Sequence, residues 1–473
     1  MGTISSAFGL ISGALDADQS ALSIVANNVA NANTPGYTEE TPNWQENSPV
    51  TIGGVSYGSG VTETGATSVR DRVLEGRLDQ QQQLASASGA RLTALNSLQG
   101  LFTPDSGSST ATAGDIGSDI TSLFSSFSSL EADPTNISLR EEVLSSAKTL
   151  AGDVSNAAAS LDSQGSALGQ QASGVTGQVN SLTTAIAQLN QQIETTSPNT
   201  DAGTLEDRRQ EDLSQLSQLI GINQVTTENN GLSLTTTSGQ LLVSGGSSFE
   251  LTSGSVGGAT HLFVGGTDIT FQLASGGGQL GGTLTALNQD IPTALNALNQ
   301  LAYNLSTSVN ALNNAGTDLN GDTGTVTVPL NIFSQPTALA GSAASMSVAM
   351  TDPSQIATAA LGLGTGNNSN ANAMANLSNQ SIVNGQTPID YYSNFVSSLG
   401  ATVSGVQAEN TAENASVTQL QAQNNALSGV NLNDEAAAMS KMENSYQAAS
   451  QVFTMLNTIM AAALNLGDQT TVS

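Results

Sequence analysis

The side chains that perform most enzyme chemistry are scarce in this chain. Cysteine is absent and His261 is the only histidine. Without cysteine there are no disulfides, thiolate metal sites or thiol nucleophiles. A Ser-His-Asp relay would have to be built on His261, which lies in the Gly-rich, strand-like stretch Ala259 to Val264. A solvated surface imidazole is the expectation there. Acidic residues are plentiful but scattered along helix faces and turns, so no pair stands out for two-carboxylate glycoside hydrolysis. Asp318-Leu-Asn-Gly-Asp322 resembles the opening of a calcium loop, in which alternate oxygens meet a hard cation. Its sixth position is Thr323 instead of Gly and its twelfth is Pro329 instead of Glu, so an Asx-rich turn is expected. No catalytic, cofactor or metal-ligating residue is assigned, and the chain is read as a non-enzyme.

Charge narrows the partners. Lys and Arg number 9 against 38 Asp and Glu, a formal charge of −29. Such a field repels phosphate backbones and anionic lipid heads, so neither nucleic acid nor membrane insertion is expected. No apolar run approaches the roughly 18 residues that span a bilayer. The first basic residue is Arg70, and the start lacks the basic region and small-residue cleavage site of a secretory signal. Either the protein stays in the cytoplasm or it leaves by a route without a cleaved signal.

The elements that carry the most information are the two ends. Ile4, Phe8, Ile11, Leu15, Leu22, Val25 and Val29 form a heptad seam interrupted at Asp18. The same rhythm returns in Met439, Met442, Tyr446, Ala449, Phe453, Leu456, Met460 and Ala463. Two such seams predict helices that close on each other, or on neighbouring copies, as a coiled coil. The first helix should end near Ala30, because an Asn cluster weakens it and Pro35 disfavours helix at Thr34.

Between the ends, the fold class reads as mainly α with a β insertion, in an elongated molecule. Extended segments fill Thr41 to Thr67, and helices follow: long ones from Ser68 to Phe102 and Asn136 to about Glu194, shorter ones from Asp115 to Leu130 and Leu205 to Ile220. A Pro/Gly/Ser loop is expected from Thr103 to Gly114. From Ile222 to Gly282 short alternating runs between Gly pairs, ending in Asp268-Ile-Thr-Phe-Gln-Leu, predict a small all-β domain. Helix resumes from Thr283 to Leu312 with a kink or restart at Pro292, and Gly316 to Ala349 reads as loop and short strand. Gly362 to Asn379 reads as a low-complexity linker. A final long helix from about Asp390 breaks at Ser428-Gly-Val430, where Asn433 or Asp434 would cap the terminal helix. The division is 1–40 with 430–473 as a terminal helix domain, 41–220 with 283–315 and 359–429 as a helical rod domain, 221–282 as a β insertion, and 316–358 as a short loop and strand segment.

The run Ala26-Asn-Asn-Val-Ala-Asn-Ala-Asn-Thr-Pro-Gly-Tyr-Thr38 resembles the N-terminal signature of the axial proteins of the bacterial flagellum. These are the rod, hook and hook-associated proteins. Leu427-Ser-Gly-Val-Asn-Leu-Asn-Asp-Glu435, followed by Met439, Tyr446, Ala449, Gln451, Val452 and Ile459, is similar to the C-terminus of the hook-associated family that joins hook to filament. The helical middle with one β insertion fits that family better than rod or hook subunits, and the short stretch after Gly316 implies a reduced outer domain. The resemblance implies a structural subunit of an extracellular flagellum, exported without a cleaved signal. Its partners would be other copies, hook protein and the next hook-associated protein or filament layer, with a dedicated export chaperone on the C-terminal helix. Asn27, Asn28, Asn31, Asn33, Thr34, Pro35, Gly36 and Tyr37 would form the bend where an inner helix leaves for the outer shell. The competing readings are a hook or rod subunit and, in a different class, a secreted glycosidase-like enzyme.

Overall fold

The structure is a computed structural model that describes residues 2–34, 36–52, 54–102, 115–197, 201–257 and 259–468. Pro35 and the expected loop from Thr103 to Gly114 lie outside the described residues. Helix α1 (Gly2–Asn31) is followed by a β ribbon: β1 (Glu40–Glu46) pairs antiparallel with β4 (Val61–Ser68), and β2 (Val50–Ile52) with β3 (Val55–Tyr57). Helices α2 (Arg72–Gly100), α3 (Ile116–Ala132), α4 (Ile137–Thr196) and α5 (Thr204–Leu219) come next. Side-chain caps explain three of these starts. Asp71, Asp115 and Asn136 each accept backbone N–H groups of the first turn that would otherwise lack partners.

Two small antiparallel sheets follow. The first has the order β5 (Ile222–Thr226), β6 (Leu232–Thr236), β7 (Leu241–Ser244) and β8 (Ser247–Ser248); in the second, β10 (Ala259–Val264) lies between β9 (Leu251–Val256) and β11 (Thr267–Asp268). Strand structure stops at Asp268. The stretch Asp268 to Leu273, expected as strand, turns into the short helix α6 (Thr270–Ala274). Asp268 explains the switch: its carboxylate accepts the N–H of Thr270 at 3.0 Å and starts a helical turn. Helix α7 (Gly278–Thr285) then runs through one π turn, Ala286–Asp290, into α8 (Ile291–Ala315). The disturbance expected at Pro292 thus takes the form of a widened turn just before it, where the missing N–H is accommodated.

Beyond α8, β12 (Gly316–Thr317) pairs with β13 (Ala359–Ala360) across a mostly irregular segment. The expected linker at Gly362 to Asn379 contains a helix, α9 (Ser369–Asn376), whose Ala371 and Met374 are fully buried. Its Asn, Ala and Ser composition hid a periodicity carried by only three apolar residues. Helices α10 (Pro388–Ser428) and α11 (Leu432–Asp468) complete the chain. Thr387 caps α10. For α11 the cap is Asn431, whose side-chain Oδ1 accepts the N–H of Asn433, rather than Asn433 or Asp434.

The 60-residue α4 is the spine of the body. At 1.5 Å per residue it extends about 90 Å. Its stripe changes partners half way. Val143, Leu150, Val154 and Leu161 pack with residues of α3, α8 and α10, among them Phe127, Leu305 and Val403. Farther on, Val175, Val179 and Ile186 pack with Leu216 of α5, Leu234 and Leu242 of one sheet, and Leu262 of the other. The two sheets therefore share their core with α4, α5, α6 and α7. Helix α7 approaches α2 so closely that a Cβ on Gly282 would lie 1.9 Å from the Ala87 carbonyl oxygen. Glycine is required there by the contact itself.

Candidate assembly site at the terminal helices

Helices α1 and α11 lie against each other in antiparallel sense. Phe8 meets Phe453 edge to face, with ring centroids 5.2 Å apart, and Asn28 meets Glu435 at the other end. The side chains share the burial unevenly. Ile4, Phe8, Ile11, Leu15 and Leu22 are half-buried, Val25 is buried and Val29 is exposed. The fully covered ridge is instead Ala17, Ala21, Val25 and Asn28. This correction has a steric cause. Helix α1 packs on the β ribbon as well as on α11, with Gly60 against Leu10 and Gly13 against the Val61 carbonyl, and small residues allow both neighbours to approach.

On α11, Met439, Met442, Ala449, Phe453 and Leu456 are half-buried, whereas Tyr446, Met460 and Ala463 are exposed. A second apolar stripe, Val452, Met455 and Ile459, is 42%, 63% and 47% exposed. Its i, i+3, i+7 spacing gives α11 an apolar face that is left exposed among the described residues.

The bend is held by one carboxamide. Asn28 Nδ2 donates to Glu435 Oε1 and to the Glu40 carbonyl, each at 2.8 Å. Its Oδ1 accepts the Tyr37 hydroxyl at 2.8 Å and the Glu40 N–H at 3.0 Å. Two donors and two acceptors saturate an asparagine. Asn31 Nδ2 donates to the Asn27 carbonyl and side chain, Asn27 Nδ2 reaches the Tyr37 hydroxyl at 3.4 Å, and the Thr34 hydroxyl donates to Asn31 Oδ1. Gly36 has φ 77°, a left-handed turn that suits glycine. Asn33 is exposed. Glu39 N–H donates to the Ser428 carbonyl at 2.9 Å, tying the bend to the end of α10.

Charge crowds this joint. Arg70 pairs with Asp207, and Arg72 with Glu206 at 2.9 Å. Burial, with Glu435 and Asp434 nearby, pushes the Glu39 carboxyl up, and burial with Asp207 and Asp201 does the same to Glu40. Burial also raises Asp207 despite Arg70, and raises Glu75 to about 7. Burial and neighbouring carboxylates hold the Tyr37 hydroxyl well above the ordinary phenol range. Sequence reading missed this network because its partners are distant in the chain; only the Asn cluster marked one side of it.

Residues weighed for other chemistry lie elsewhere. His261 Nδ1 is 2.6 Å from Asp268 Oδ2 on the exposed side of β10. Hydrogen bonds from the Thr270 hydroxyl and N–H, then from His261, bring the Asp268 carboxyl to about 2. Asp318 Oδ1 accepts the N–H groups of Asn320 and Asp322, each at 2.8 Å, as an Asx turn. Among the described residues, no helix is long and apolar enough to cross a membrane.

Long helices and a shared terminal pair characterise the described residues, and comparison with known proteins names the class that carries them. Residues 106–327 match the family model of the flagellar hook-associated protein FlgK helical domain, and residues 11–38 match that of the flagella basal body rod protein. The chain is 24% identical to flagellar hook-associated protein 1 of Escherichia coli K12 over 547 residues, covering 96% of this chain and 98% of that one. With the Bacillus subtilis 168 protein of the same name it is 25% identical over 508 residues, covering 96% of each. Its fold matches the flagellar hook junction protein FlgK of Burkholderia pseudomallei with a TM-score of 0.63 at 19% identity, over 74% of this chain and 99% of that one. The molecule is an axial component of the bacterial flagellum. Within that class, the chain resembles flagellar hook-associated protein 1 along nearly its whole length.

Proposed function

We infer that this protein is a structural subunit of the junction between flagellar hook and filament, and that it assembles through its terminal helices. The match along nearly the whole chain carries the reading: rod-type sequence at 11–38 is common to the axial group, whereas the helical domain at 106–327 is particular to hook-associated proteins. The chemistry is that of shape and association. Helix α11 brings an apolar stripe to its surface, and burying such a stripe against a neighbouring copy stabilises an assembly by about 25 cal/mol per Å2.

The finer reading follows from the same arrangement. The pair α1 and α11 supplies the inner layer, and the α4 spine with its two cores supplies the outer body. Other copies, the hook protein and the next hook-associated or filament layer are the partners. The apolar stripe of α11 also needs cover before assembly, which supports a dedicated export chaperone on that helix. The protein acts outside the cell and leaves without cleavage of a signal, and no catalytic step is assigned to it. Complementation tests the assignment: in a flagellated bacterium lacking hook-associated protein 1, expression of this chain with its cognate neighbours should restore swimming. Hooks that remain without filaments would oppose it.

A further inference from the structure

The joint between terminal helices and body brings together carboxyl groups from five segments. The bend supplies Glu39 and Glu40, and the start of α11 supplies Asp434 and Glu435. Helix α2 supplies Glu75 and Asp79. From α5 and the turn before it come Asp201, Glu206, Asp207 and Glu211, the last beside Gly36. Facing them are three guanidinium groups: Arg70 on Asp207 and Glu75, Arg72 on Glu206, and Arg209, held by Asn190 and the Asn230 carbonyl. Tyr37 contributes its hydroxyl to Asn28. Negative groups outnumber positive ones in a partly desolvated seam. On the α2 side of the joint, a polar cavity of about 370 Å3 is lined by Arg70, Glu75, Asp79 and Glu206.

We propose that this joint is a proton-operated clamp, which mild acidity tightens and rising pH loosens between the bend at Tyr37 to Glu40 and the body. Repulsion has few other outlets, because Glu39 and Glu40 are tied by their own backbone to Ser428 and Asn28 and cannot swing away together. The direction follows from linkage. Burial raises Glu39, Glu40, Glu75, Asp79 and Asp207, so the closed joint binds protons more tightly than the open one. Stability is therefore lost as pH rises from the ordinary carboxylate range toward about 7, the value of Glu75. Asp201 runs the other way, lowered by N–H groups of Ser68 and Gly203, and its contribution is lost only in stronger acid, below the ordinary carboxylate range.

The test is amide hydrogen exchange of the intact protein across pH 5 to 8, corrected for intrinsic rates and read in peptides covering 37–40 and 428–440. A local probe is needed because Asp119, which burial and Asp153 push to about 7, titrates in α3 over the same window. Protection in these peptides should fall by about tenfold, the equivalent of one pKa unit. The doubly neutral variant Glu40→Gln with Glu75→Gln should flatten the dependence, while Asp119→Asn should leave it in place. Protection independent of pH in the unaltered protein overturns the clamp. So does an unchanged slope in the double variant, or a slope abolished by Asp119→Asn alone.

Discussion

Asn28 and Glu435 stand 407 positions apart in the chain, yet the Asn28 Nδ2 donates to the Glu435 carboxylate at 2.8 Å in a buried contact. This bond joins the end of α1 to the start of α11 and fixes both to the bend at Glu40. Replacing Asn28 by Ala leaves the buried Glu435 carboxylate and the Glu40 backbone without partners, at a cost of about 2–4 kcal/mol. Asn28→Asp adds a negative charge beside Glu435 and should be worse. Limited proteolysis should then cut both terminal helices of the variants faster than those of the parent, while Asn33→Ala, at an exposed position, changes nothing.

Glu75 tests the electrostatics of the body. Its folded carboxyl titrates at about 7 against an ordinary 4.5, so the folded protein binds this proton more tightly than the unfolded chain. The favourable contribution is present below the ordinary value and disappears as pH rises to about 7. Glu75→Gln keeps the neutral shape at all pH. Its melting temperature should exceed that of the parent at pH 8, corresponding to about 1–3 kcal/mol, and match it near pH 4. A variant equally stable at both values would contradict the assignment.

Arg140 is fully buried, and among the described residues no carboxylate accepts a hydrogen bond from it, although Asp318 lies near enough to favour its charge. Its guanidinium instead donates to the carbonyls of Pro134, Pro353, Ser354 and Ile356 and to the Thr358 hydroxyl. This pins the irregular 353–358 segment to the first turn of α4. Lysine has three donors on a single nitrogen and cannot span these acceptors. Arg140→Lys should cost about 2–4 kcal/mol in urea unfolding, since each stranded buried acceptor costs about 1–3 kcal/mol. Loss below about 0.5 kcal/mol would mean that solvent replaces the fork.

Gly282 tests the packing of α7 on α2. An alanine Cβ there would overlap the Ala87 carbonyl oxygen, so Gly282→Ala must push the helices apart and should lower stability by about 1–3 kcal/mol. Gly174→Ala, with open space at its Cβ on α4, should instead be neutral or mildly stabilising. Equal effects at the two sites in thermal unfolding would contradict the close contact.

How much was readable in advance depended on the range of the forces. Helices α2, α3 and α4 follow from local periodicity and local caps, and α5 from periodicity without a side-chain cap; their bounds agree with expectation to within a few residues. The matched seams point to pairing of α1 with α11 or with neighbouring copies, but neither the antiparallel sense nor the ridge of Ala17, Ala21 and Val25 is legible in them. The ridge depends on the ribbon also pressing on α1. The Asn cluster looked like a weak helix end, because nothing in the local sequence shows that Asn28 meets Glu435 and Glu40. Helix α9 escaped notice since its burial comes from tertiary packing on α3 and α8, not from its own composition.

The proposed association runs through the exposed face of α11 at the end of the hook. Purified protein mixed with isolated hooks and viewed by electron microscopy should form a short terminal layer of constant length, however much protein is added. Met455→Asp with Ile459→Asp, at positions 63% and 47% exposed, should leave the circular dichroism of the monomer intact and abolish the layer. Continued growth into a long polymer would indicate a hook subunit, and layers formed equally well by the double variant would contradict assembly through this face.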